Sequence, residues 1–371
     1  MHIFVICGKD NIHMEKIKRI GVLTSGGDAP GMNAAVRAIT NKAFEENIEV
    51  VGIIGGYSGL LEKNTVILTP DSVSQNIGRG GTAIYTARCL EFATEEGVQK
   101  AVETCRELGI EALVAIGGDG TFRGATDMTN HGVPTIGIPG TIDNDVTATD
   151  YTIGYDTAMN TAMKLIDCLR DTCESHARCN VVELMGRNCG ELTLNVGIAS
   201  GAVAIAIPEV PFDADAAVAN IKALRDAGKR GMIVAISEGV FDENGNTIGE
   251  AFTARLCREL DLDAKFARFA HIQRGGDPTL RDRKTASVMG AMAIELLMEG
   301  KSDLVLCEID GEVKPLDINW ALASDRMYKN KLKDGDLDRF SADEIDAMEA
   351  LCERRKAEVE RLYSIGLSLA K

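Results

Sequence analysis

The chain has 371 residues, with 40 Lys and Arg against 56 Asp and Glu, so its formal charge is −16. At roughly 150 residues per domain, this length predicts about two domains. A surface this acidic argues against nucleic acid and anionic membranes as partners, and any phosphate site must concentrate cations and backbone NH groups locally. With 45% hydrophobic and 26% charged residues, the chain has a globular composition, which excludes extensive disorder.

The ten cysteines are scattered from Cys7 to Cys352 without a C-x-x-C pair. In a chain of this length, the pattern favours reduced thiols in a cytoplasmic protein over disulfides or a zinc site. No apolar run reaches the roughly 20 residues needed to cross a bilayer, and the N-terminus lacks the basic region of a signal peptide. A second methionine, Met14, precedes the first strand pattern, so residues 1–13 are set aside as an extra N-terminal segment.

Short apolar runs alternate with helical patterns along the chain. The predicted strands are Arg19–Thr24, Glu49–Ile54, Ala112–Ile116, Thr135–Ile138, Asn180–Leu184, Val203–Ile207, Met232–Ser237 and Leu304–Ile309. The predicted helices include Met32–Asn47, Thr157–Asp171, Asp213–Ala227 and Lys284–Glu299. This alternation predicts an α/β fold with mostly parallel sheets, in which ligands bind where strands lead into helices.

The last segment begins with a capping-box pattern, in which Ser341 precedes Glu344 by three residues. Apolar residues follow at helical spacing: Ile345, Met348, Leu351, Cys352, Val359 and Leu362. We expect a helix that packs on the body of the protein or on a neighbouring subunit. A solvated arm of mixed charge is the alternative.

Two predicted strands lead into glycine-rich turns, Ser25–Gly31 and Gly117–Thr121. Neither turn matches a common phosphate fingerprint. Met32 stands where a P-loop has its lysine, and Arg123 replaces the last glycine of G-x-G-x-x-G. A lone glycine turn is more often structural than functional. Two such turns, each before a helix, indicate a site where bare NH groups bind phosphate oxygens.

Three carboxylates lie in turns that follow predicted strands: Asp119, Asp143 and Asp145. We expect Asp143 and Asp145 in this loop to point in different directions. Phosphoryl transfer needs one carboxylate on Mg²⁺ and another near the attacking hydroxyl, and this arrangement supplies both. A turn rich in Asp and Asn that only caps backbone groups explains the same spacing equally well.

Four arginines lie beside Gly, Cys or His rather than on an amphipathic helix face: Arg88, Arg178, Arg187 and Arg274. The guanidinium group matches phosphate with a fixed fork of donors. Any one of them is more simply explained as a surface ion pair, because 56 acids are available. Several arginines that converge on the glycine turns would indicate a phosphate site.

Taken together, these motifs resemble the ATP-dependent 6-phosphofructokinase family. The matching stretches are Arg19–Arg37, Gly78–Arg88, Ala115–Thr121, Gly137–Asp156, Leu169–Leu194, Pro208–Glu209 and His271–Asp277. The similarity runs from about Lys18 to about Ile309. The order of so many motifs is far more specific than any single one.

The resemblance implies two interleaved, three-layer Rossmann-like lobes with mostly parallel sheets. The ATP-binding lobe would comprise residues 14–155 and about 270–310. The lobe for fructose 6-phosphate would comprise residues 156–269 and part of the C-terminal segment. Residues 335–371 would form a C-terminal helical extension.

The implied reaction is direct in-line transfer of a phosphoryl group from ATP to the 1-hydroxyl of D-fructose 6-phosphate, as in glycolysis. It would give fructose 1,6-bisphosphate and ADP. By resemblance, Asp143 is the general base, while Thr141 and Arg187 stabilise the transferring group. Asp119 and Asp145 are the carboxylates on the Mg²⁺ side.

The resemblance also implies the ligand contacts. The nucleotide positions are Gly26, Tyr57, Arg88, Cys89, Gly118, Asp119, Gly120, Thr121 and Gly124. The sugar-phosphate positions are Thr141, Asp143, Asp145, Arg178, Met185, Gly186, Arg187, Glu238, Lys265, His271 and Arg274. In the family, the cations at the positions of Arg178 and Lys265 come from the neighbouring subunit. The resemblance therefore implies a homotetramer with shared active sites.

Departures from the family pattern limit what is implied. Pyrophosphate-dependent relatives carry Asp at the position of Gly120 and Lys at that of Gly140, so the two glycines favour ATP as donor over pyrophosphate. Lys265 stands where Arg is usual and loses the bidentate fork. Another ketose phosphate, such as sedoheptulose 7-phosphate, is therefore an open alternative acceptor. Arg268 is an alternative substitute for that arginine, but it lies three residues further on and should face elsewhere on a strand.

The effector site of bacterial relatives is only partly matched. Arg37, Arg170 and Lys229 occupy its basic positions. Asn41, Pro70 and Ala227 stand where further basic residues are usual. We expect control by ADP or phosphoenolpyruvate to be weak or absent.

Two other functions are alternatives to this one. NAD kinases and lipid kinases share the Gly-Gly-Asp-Gly-Thr turn, but the other motifs would not be expected in them in this order. A non-catalytic sensor of sugar phosphates or nucleotides would be signalled by loss of Asp119, Asp143 or Arg187, and all three are present.

Overall fold

The computed structural model describes residues 17–371, so the extra segment expected over residues 1–13 lies outside the described residues. Contacts divide the chain into two compact units. The first contains the described residues up to Ile142, together with Val146–Thr157 and Arg274–Glu353. The second contains Asp143–Asp145, Ala158–Gln273 and Arg354–Lys371. The assignment of ATP to one lobe and fructose 6-phosphate to the other stays a prediction.

Residues 17–371 form eleven strands and twelve α-helices. The strands are β1 (Arg19–Thr24), β2 (Glu49–Ile53), β3 (Thr65–Leu68), β4 (Ala112–Gly117), β5 (Thr135–Pro139), β6 (Cys179–Leu184), β7 (Ala204–Ala206), β8 (Met232–Ser237), β9 (Ala264–Arg268), β10 (Leu304–Ile309) and β11 (Glu312–Asp317). The helices are α1 (Met32–Glu45), α2 (Gly56–Leu61), α3 (Pro70–Val73), α4 (Glu95–Glu107), α5 (Asp119–Asn130), α6 (Tyr155–Ser175), α7 (Glu191–Ala199), α8 (Ala214–Asp226), α9 (Ile248–Leu260), α10 (Leu280–Met298), α11 (Ile318–Tyr328) and α12 (Ala342–Leu369).

The first unit is built on a seven-stranded sheet in the order β11-β10-β5-β4-β1-β2-β3. Its five inner strands are parallel, and β3 and β11 pair antiparallel at the two edges. All six residues of β4 are buried, as expected of a strand with both faces covered. Tyr57, Phe92, Phe122 and Trp320 belong to the large apolar core of this unit.

The second unit is built on a parallel four-stranded sheet in the order β7-β8-β6-β9. On the central strand β6, Val181 lies between Val234 of β8 and Phe266 of β9. A second core forms from this sheet with residues of α8 and α9, such as Ile221 and Leu256. The predicted α/β fold with mostly parallel sheets is confirmed.

The C-terminal segment forms the helix that its sequence predicts. The backbone NH of Ser341 donates to Glu344 Oε2 at 2.8 Å, and that of Glu344 donates to Ser341 Oγ at 3.4 Å, which completes the capping box. In the first unit, Met348 and Leu351 pack into the core. In the second, a Cβ added to Gly366 would lie 3.1 Å from Ile205. The helix therefore packs on the body of the chain and is not a solvated arm.

Within residues 17–371, every helix is either too short or too polar to cross a membrane.

Candidate active site

The first glycine turn follows β1 and depends on a left-handed residue. Gly26 has a φ of +86°, and its carbonyl accepts a hydrogen bond from Thr86 Oγ1 at 2.8 Å. Next to it, a Cβ on Gly27 would lie 2.7 Å from Arg274 Nη1. That nitrogen donates to the carbonyl of Asp28 at 3.3 Å. The bare backbone of this turn therefore lets the Arg274 guanidinium lie against it.

The second glycine turn leads from β4 into α5 and contacts the first. A Cβ on Gly117 would lie 2.4 Å from the carbonyl oxygen of Ser25. The hydroxyl of Thr121 donates to the same oxygen at 3.2 Å. Gly118 caps α5, so the free NH groups of the helix start lie beside the first turn. The structure thus brings together the two turns that the sequence singled out for phosphate binding.

Gly120 is the open point of the second turn, because a Cβ there would have no neighbouring atom within 4 Å. Gly124, one helical turn later, is closely packed: a Cβ would lie 2.7 Å from Phe92 and 2.8 Å from Tyr57. The Tyr57 ring stacks on Phe92 with centroids 4.0 Å apart, and its hydroxyl donates to the Thr121 carbonyl at 2.9 Å. Burial raises the pKa of Tyr57. Tyr57 therefore packs against the first two turns of α5, where Gly124 leaves room for its ring.

Arg88 and Cys89 lie in the same unit and differ in exposure. The Arg88 side chain is exposed and makes no ion pair or hydrogen bond with residues 17–371. Cys89 is partly buried and packs against the large core of the first unit. Arg88 is therefore available to an anion, while Cys89 adds to the edge of that core.

Asp119, the first residue of α5, forms an ion pair with Arg123 one turn later. Arg123 Nε lies 3.3 Å from Asp119 Oδ1, and Nη2 contacts Oδ2. Among the described residues no group of three His, Cys, Asp or Glu side chains has the arrangement of a metal cage. Mg²⁺ takes only one or two carboxylates and completes its shell with water and phosphate oxygens. An acid at a helix start next to two glycine turns fits such a site if Arg123 releases it.

The segment from Thr141 to Asp145 is not extended. It turns at Ile142 and Asp143, and Asn144 has a φ of +50°. Because a left-handed residue separates them, Asp143 and Asp145 are not held to one face as they would be in an extended chain, and their expected different directions stay a prediction. The Asn144 side chain donates to Glu191 Oε2 at 2.7 Å, which holds this turn to the start of α7. Asp143 is only 2% exposed.

Thr141 ends the part of this segment that belongs to the first unit. Its carbonyl accepts a hydrogen bond from Thr152 Oγ1 at 2.6 Å. A backbone bridge between Gly140 and Ile153 lies directly beside it. Thr141 is thus held by residues of the loop that leads into α6.

The loop after β6 carries the predicted sugar residues Met185, Gly186 and Arg187. Glu238 Oε1 accepts hydrogen bonds from the NH groups of Gly186 at 3.3 Å and Arg187 at 3.0 Å. Arg187 has a φ of +53°, a strained conformation for a residue with a side chain. Its guanidinium makes no ion pair or hydrogen bond with residues 17–371, so this loop presents a free cation.

Glu209 anchors the far end of the same loop. Its Oε1 accepts a hydrogen bond from the NH of Gly190 at 2.7 Å. Burial raises the pKa of Glu209, and the Gly190 NH opposes that shift. A Cβ on Gly190 would lie 2.4 Å from Glu209 Oε2 and 2.5 Å from the Cβ of Ile207, and because the Ile207 Cβ cannot move aside, this packing requires glycine.

Gln273 is a structural residue of the site that sequence reasoning missed. It is completely buried, and its Oε1 accepts a hydrogen bond from the NH of Met185 at 2.9 Å. His271 lies on the same short helical turn, Ala270–Arg274, and its side chain is exposed. The signal was present in the polar stretch around His271, but the sequence did not show which member turns inward.

Asp263 is a second residue that the sequence analysis missed. It binds both predicted sugar-phosphate cations: Arg178 Nε lies 2.5 Å from Asp263 Oδ2, and Lys265 Nζ lies 2.6 Å from Oδ1. Hydrogen bonds from Lys265 and then from Arg178 lower the pKa of Asp263. One carboxylate thus clusters the two cations within this chain. Their expected approach to a neighbouring subunit stays a prediction.

A cavity of about 560 Å³ lies in the second unit, and its wall includes Arg187 and Glu238. Glu183 of β6 and Arg268 of β9 line the same space. Lys265 is not part of the lining, because its ammonium group turns to Asp263. Arg268 therefore faces elsewhere than Lys265, as their spacing on a strand predicts, and it faces the cavity.

These features define a class of α/β proteins that hold phosphorylated ligands in glycine turns at the ends of parallel strands. Residues 19–297 match the family model described as phosphofructokinase. Because that match covers well over half of the chain, the chain belongs to the phosphofructokinase family.

Curated relatives agree with this placement. The chain is 51% identical over 290 residues to an ATP-dependent 6-phosphofructokinase of Lactobacillus johnsonii, which covers 78% of this chain and 89% of the relative. It is 47% identical over 320 residues to ATP-dependent 6-phosphofructokinase 1 of Clostridium perfringens, over 85% of this chain and 97% of the relative.

Among solved structures, the chain is similar to the phosphofructokinase of Pichia pastoris in the T-state, with a TM-score of 0.83 and 31% identity. That match covers 97% of this chain and 40% of the yeast chain. A pyrophosphate-dependent phosphofructokinase of Marinobacter aquaeolei has a TM-score of 0.72 at 21% identity, which shows a shared fold.

Proposed function

We propose that this protein is an ATP-dependent 6-phosphofructokinase of glycolysis, which transfers a phosphoryl group from ATP to the 1-hydroxyl of fructose 6-phosphate. The observation that carries the proposal is the identity of about half with relatives so named. Asp119, Asp143 and Arg187 are all present in the motifs that such chemistry needs. Loss of one of them would have favoured a non-catalytic sensor.

Asp143 is the proposed general base, which takes the proton from the 1-hydroxyl as the oxygen attacks phosphorus. Its near-complete burial supports this role, since a buried carboxylate in a turn is shielded from competing water. Thr141 and Arg187 are proposed to stabilise the charge on the transferring group. The unpaired guanidinium of Arg187 supports its part.

The nucleotide is proposed to lie along the two glycine turns of the first unit. The proposed contacts are Gly26, Tyr57, Arg88, Cys89, Gly118, Asp119, Gly120, Thr121 and Gly124. The close packing of Tyr57 and Gly124 supports a role in holding the helix start in place for the nucleotide. The open space at Gly120 leaves room for phosphates.

ATP rather than pyrophosphate is the proposed donor. An Asp at the position of Gly120 would find space and bring negative charge toward the phosphates. At Gly140, a Cβ would lie 3.1 Å from both Ile116 and Met32, so the long side chain of a lysine would not fit without rearrangement. Gly120 thus lacks the negative charge of the pyrophosphate-dependent relatives, and the packing at Gly140 opposes their lysine.

Mg²⁺ is proposed to be held by Asp119 and Asp145 together with phosphate oxygens. When bound, the ion would neutralise charge on the phosphates. Asp119 at the start of α5 would orient it beside the glycine turns, and Arg123 would have to leave its carboxylate.

The sugar phosphate is proposed to bind residues of the second unit and of the polar turn around His271. The proposed contacts are Thr141, Asp143, Asp145, Arg178, Met185, Gly186, Arg187, Glu238, Lys265, His271 and Arg274. Arg178 and Lys265 are proposed to serve a neighbouring subunit in a homotetramer, and the protein is proposed to act in the cytoplasm. The exposed His271 and the free Arg187 support the site.

A coupled assay tests the donor and the acceptor together. The purified chain is given ATP or pyrophosphate with Mg²⁺, and fructose 6-phosphate or sedoheptulose 7-phosphate as acceptor. We expect turnover with ATP and fructose 6-phosphate. Turnover with pyrophosphate alone would overturn the donor assignment, and a preference for sedoheptulose 7-phosphate would overturn the acceptor.

The base is tested by Asp143→Ser, with Asp171→Ser on the exposed face of α6 as the control. We expect kcat to fall by about 10²- to 10⁴-fold while the KM for fructose 6-phosphate changes much less. A near-normal kcat would contradict the assignment of Asp143.

A further inference from the structure

We propose that Arg268 binds the phosphate group of the sugar-phosphate acceptor, as a cation that this chain supplies to the cavity from its own strand β9. The inference rests on the proposed function, because it specifies how that acceptor is held. Nothing in the motifs of the resemblance assigns a role to Arg268.

The position of Arg268 follows from the sheet. β9 pairs in parallel with β6, and the Cα of Arg268 lies opposite that of Glu183. Neighbouring residues on adjacent strands are the pairs whose side chains meet. Arg268 Nε donates to Glu183 Oε1 at 2.5 Å, and the guanidinium also lies over the Phe266 ring, 5.4 Å from its centroid.

Glu183 fixes the arginine. Its side chain is only 4% exposed, and Oε2 is buried without a hydrogen-bond partner among residues 17–371. Arg268 is thus the group that balances this buried charge, and a buried carboxylate deprived of its cation is strongly unfavourable. The strong pairing at Nε orients the rest of the guanidinium.

The two outer nitrogens of Arg268 remain available. Nη2 has only long contacts, 3.5 Å to Thr247 Oγ1 and 3.7 Å to Glu250 Oε1, and Nη1 has no partner among residues 17–371. Both nitrogens belong to a side chain that lines the cavity. An arginine whose two outer nitrogens are unfilled is suited to a phosphate group.

The two Glu and two Arg side chains of the lining balance in formal charge, but neither of these carboxylates occupies the outer nitrogens of Arg268. Glu238 Oε1 is occupied by two backbone NH groups, and Glu183 is neutralised by Arg268 itself. Lys265, the cation that the family pattern places nearby, is bound to Asp263 and does not line the cavity. Arg268 is therefore the cation that β9 supplies to this space.

The experiment compares Arg268→Gln with the double variant Glu183→Gln/Arg268→Gln in the full-length protein. Arg258→Gln is the control, since Arg258 is an exposed arginine on α9 paired with Glu259. For each protein, KM for fructose 6-phosphate, KM for ATP and kcat are measured. The shift in melting temperature on adding fructose 6-phosphate or inorganic phosphate reports binding without turnover.

We expect both Arg268 variants to raise the KM for fructose 6-phosphate about tenfold or more, with the KM for ATP nearly unchanged. Both should lose most of the thermal shift with either phosphate compound, and Arg258→Gln should behave like the wild type. The double variant is decisive, because it also removes the buried charge and so restores the balance that Arg268→Gln alone disturbs.

A double variant with wild-type KM would show that Arg268 only neutralises Glu183, and it would overturn the inference. Loss of the shift with fructose 6-phosphate but not with inorganic phosphate would contradict the phosphate contact and assign Arg268 to the sugar hydroxyls. If the wild type itself fails to phosphorylate fructose 6-phosphate, the proposed function falls instead, and the two failures are distinct.

Discussion

The side-chain oxygen of Gln273 accepts a hydrogen bond from the backbone NH of Met185 over 2.9 Å, in a place where Gln273 has no exposure to solvent. This contact joins the turn that carries His271 to the loop that carries Arg187. Because a buried backbone NH without a partner is costly, the bond fixes where this loop leaves its strand.

Replacing Gln273 by leucine should loosen this loop. The Met185 NH would lose its acceptor, at a cost of about 1–3 kcal/mol in the free energy of unfolding. The melting temperature should fall, and the KM for fructose 6-phosphate should rise more than the KM for ATP. Gln99→Leu on the exposed face of α4 is the control. Equal effects on both KM values would show that Gln273 acts on stability alone.

The sequence predicted the central part of the fold because buried parallel strands have an unmistakable composition. β1, β8 and β10 have the predicted bounds, and five further strands differ by one or two residues at their ends. The three strands that were not predicted lie at sheet edges. β9 carries two cations in five residues, and β11 contains Pro315, so neither forms an apolar run.

The motifs of the site were predictable from the sequence, but the contacts between its residues were not. The two glycine turns were expected to act together, and the contact between Thr121 and Ser25 brings them together. The role of Asp263 could not be predicted, because its partner Arg178 is distant in the chain. The role of Gln273 could not be predicted either, because the sequence does not show that its side chain turns inward to the NH of Met185. Asn144 adopts a left-handed conformation that its sequence neighbours did not indicate.

Introducing a carboxylate at Gly120 should weaken ATP binding without unfolding the protein. The position has no atom within 4 Å of an added Cβ, and an acid in the first turn of a helix is favoured by the helix dipole. We expect Gly120→Asp to raise the KM for ATP about tenfold or more, through repulsion of phosphate. Gly120→Ala adds the Cβ without the charge and should have a small effect. A large effect of alanine would indicate crowding instead of charge.

Releasing Asp119 from Arg123 should lower the Mg²⁺ requirement. The carboxylate now shares its oxygens with a guanidinium that is largely exposed, and exposed ion pairs contribute at most about 1 kcal/mol. Arg123→Gln should therefore decrease the free Mg²⁺ needed for half-maximal rate by up to about fivefold. Arg106→Gln removes a similar exposed pair on α4 and serves as the control. An increased Mg²⁺ requirement would mean that Arg123 itself assists the phosphates.

His131 should make the stability of the first unit depend on pH. Its Nδ1 lies 2.8 Å from the Asp127 carbonyl and its Nε2 lies 2.9 Å from Glu95 Oε1. The backbone hydrogen bond to Asp127, and next the side-chain bond to Glu95, raise the pKa of His131. A raised pKa in the folded state means that folding favours the protonated imidazole. The stabilisation is therefore complete below the unfolded-state pKa and disappears as pH rises through the folded-state pKa.

Melting temperatures of the wild type and of His131→Gln, taken from about pH 5.5 to about pH 8.5, check this sign. The wild type should be the more stable protein at the acidic end, and the difference should shrink toward the basic end. Glu95 stays ionised across this range, since the bond from His131 lowers its pKa further. His176→Gln, at an exposed position after α6, should show no such trend. A difference that grows with pH would contradict the interaction with Glu95 as the source.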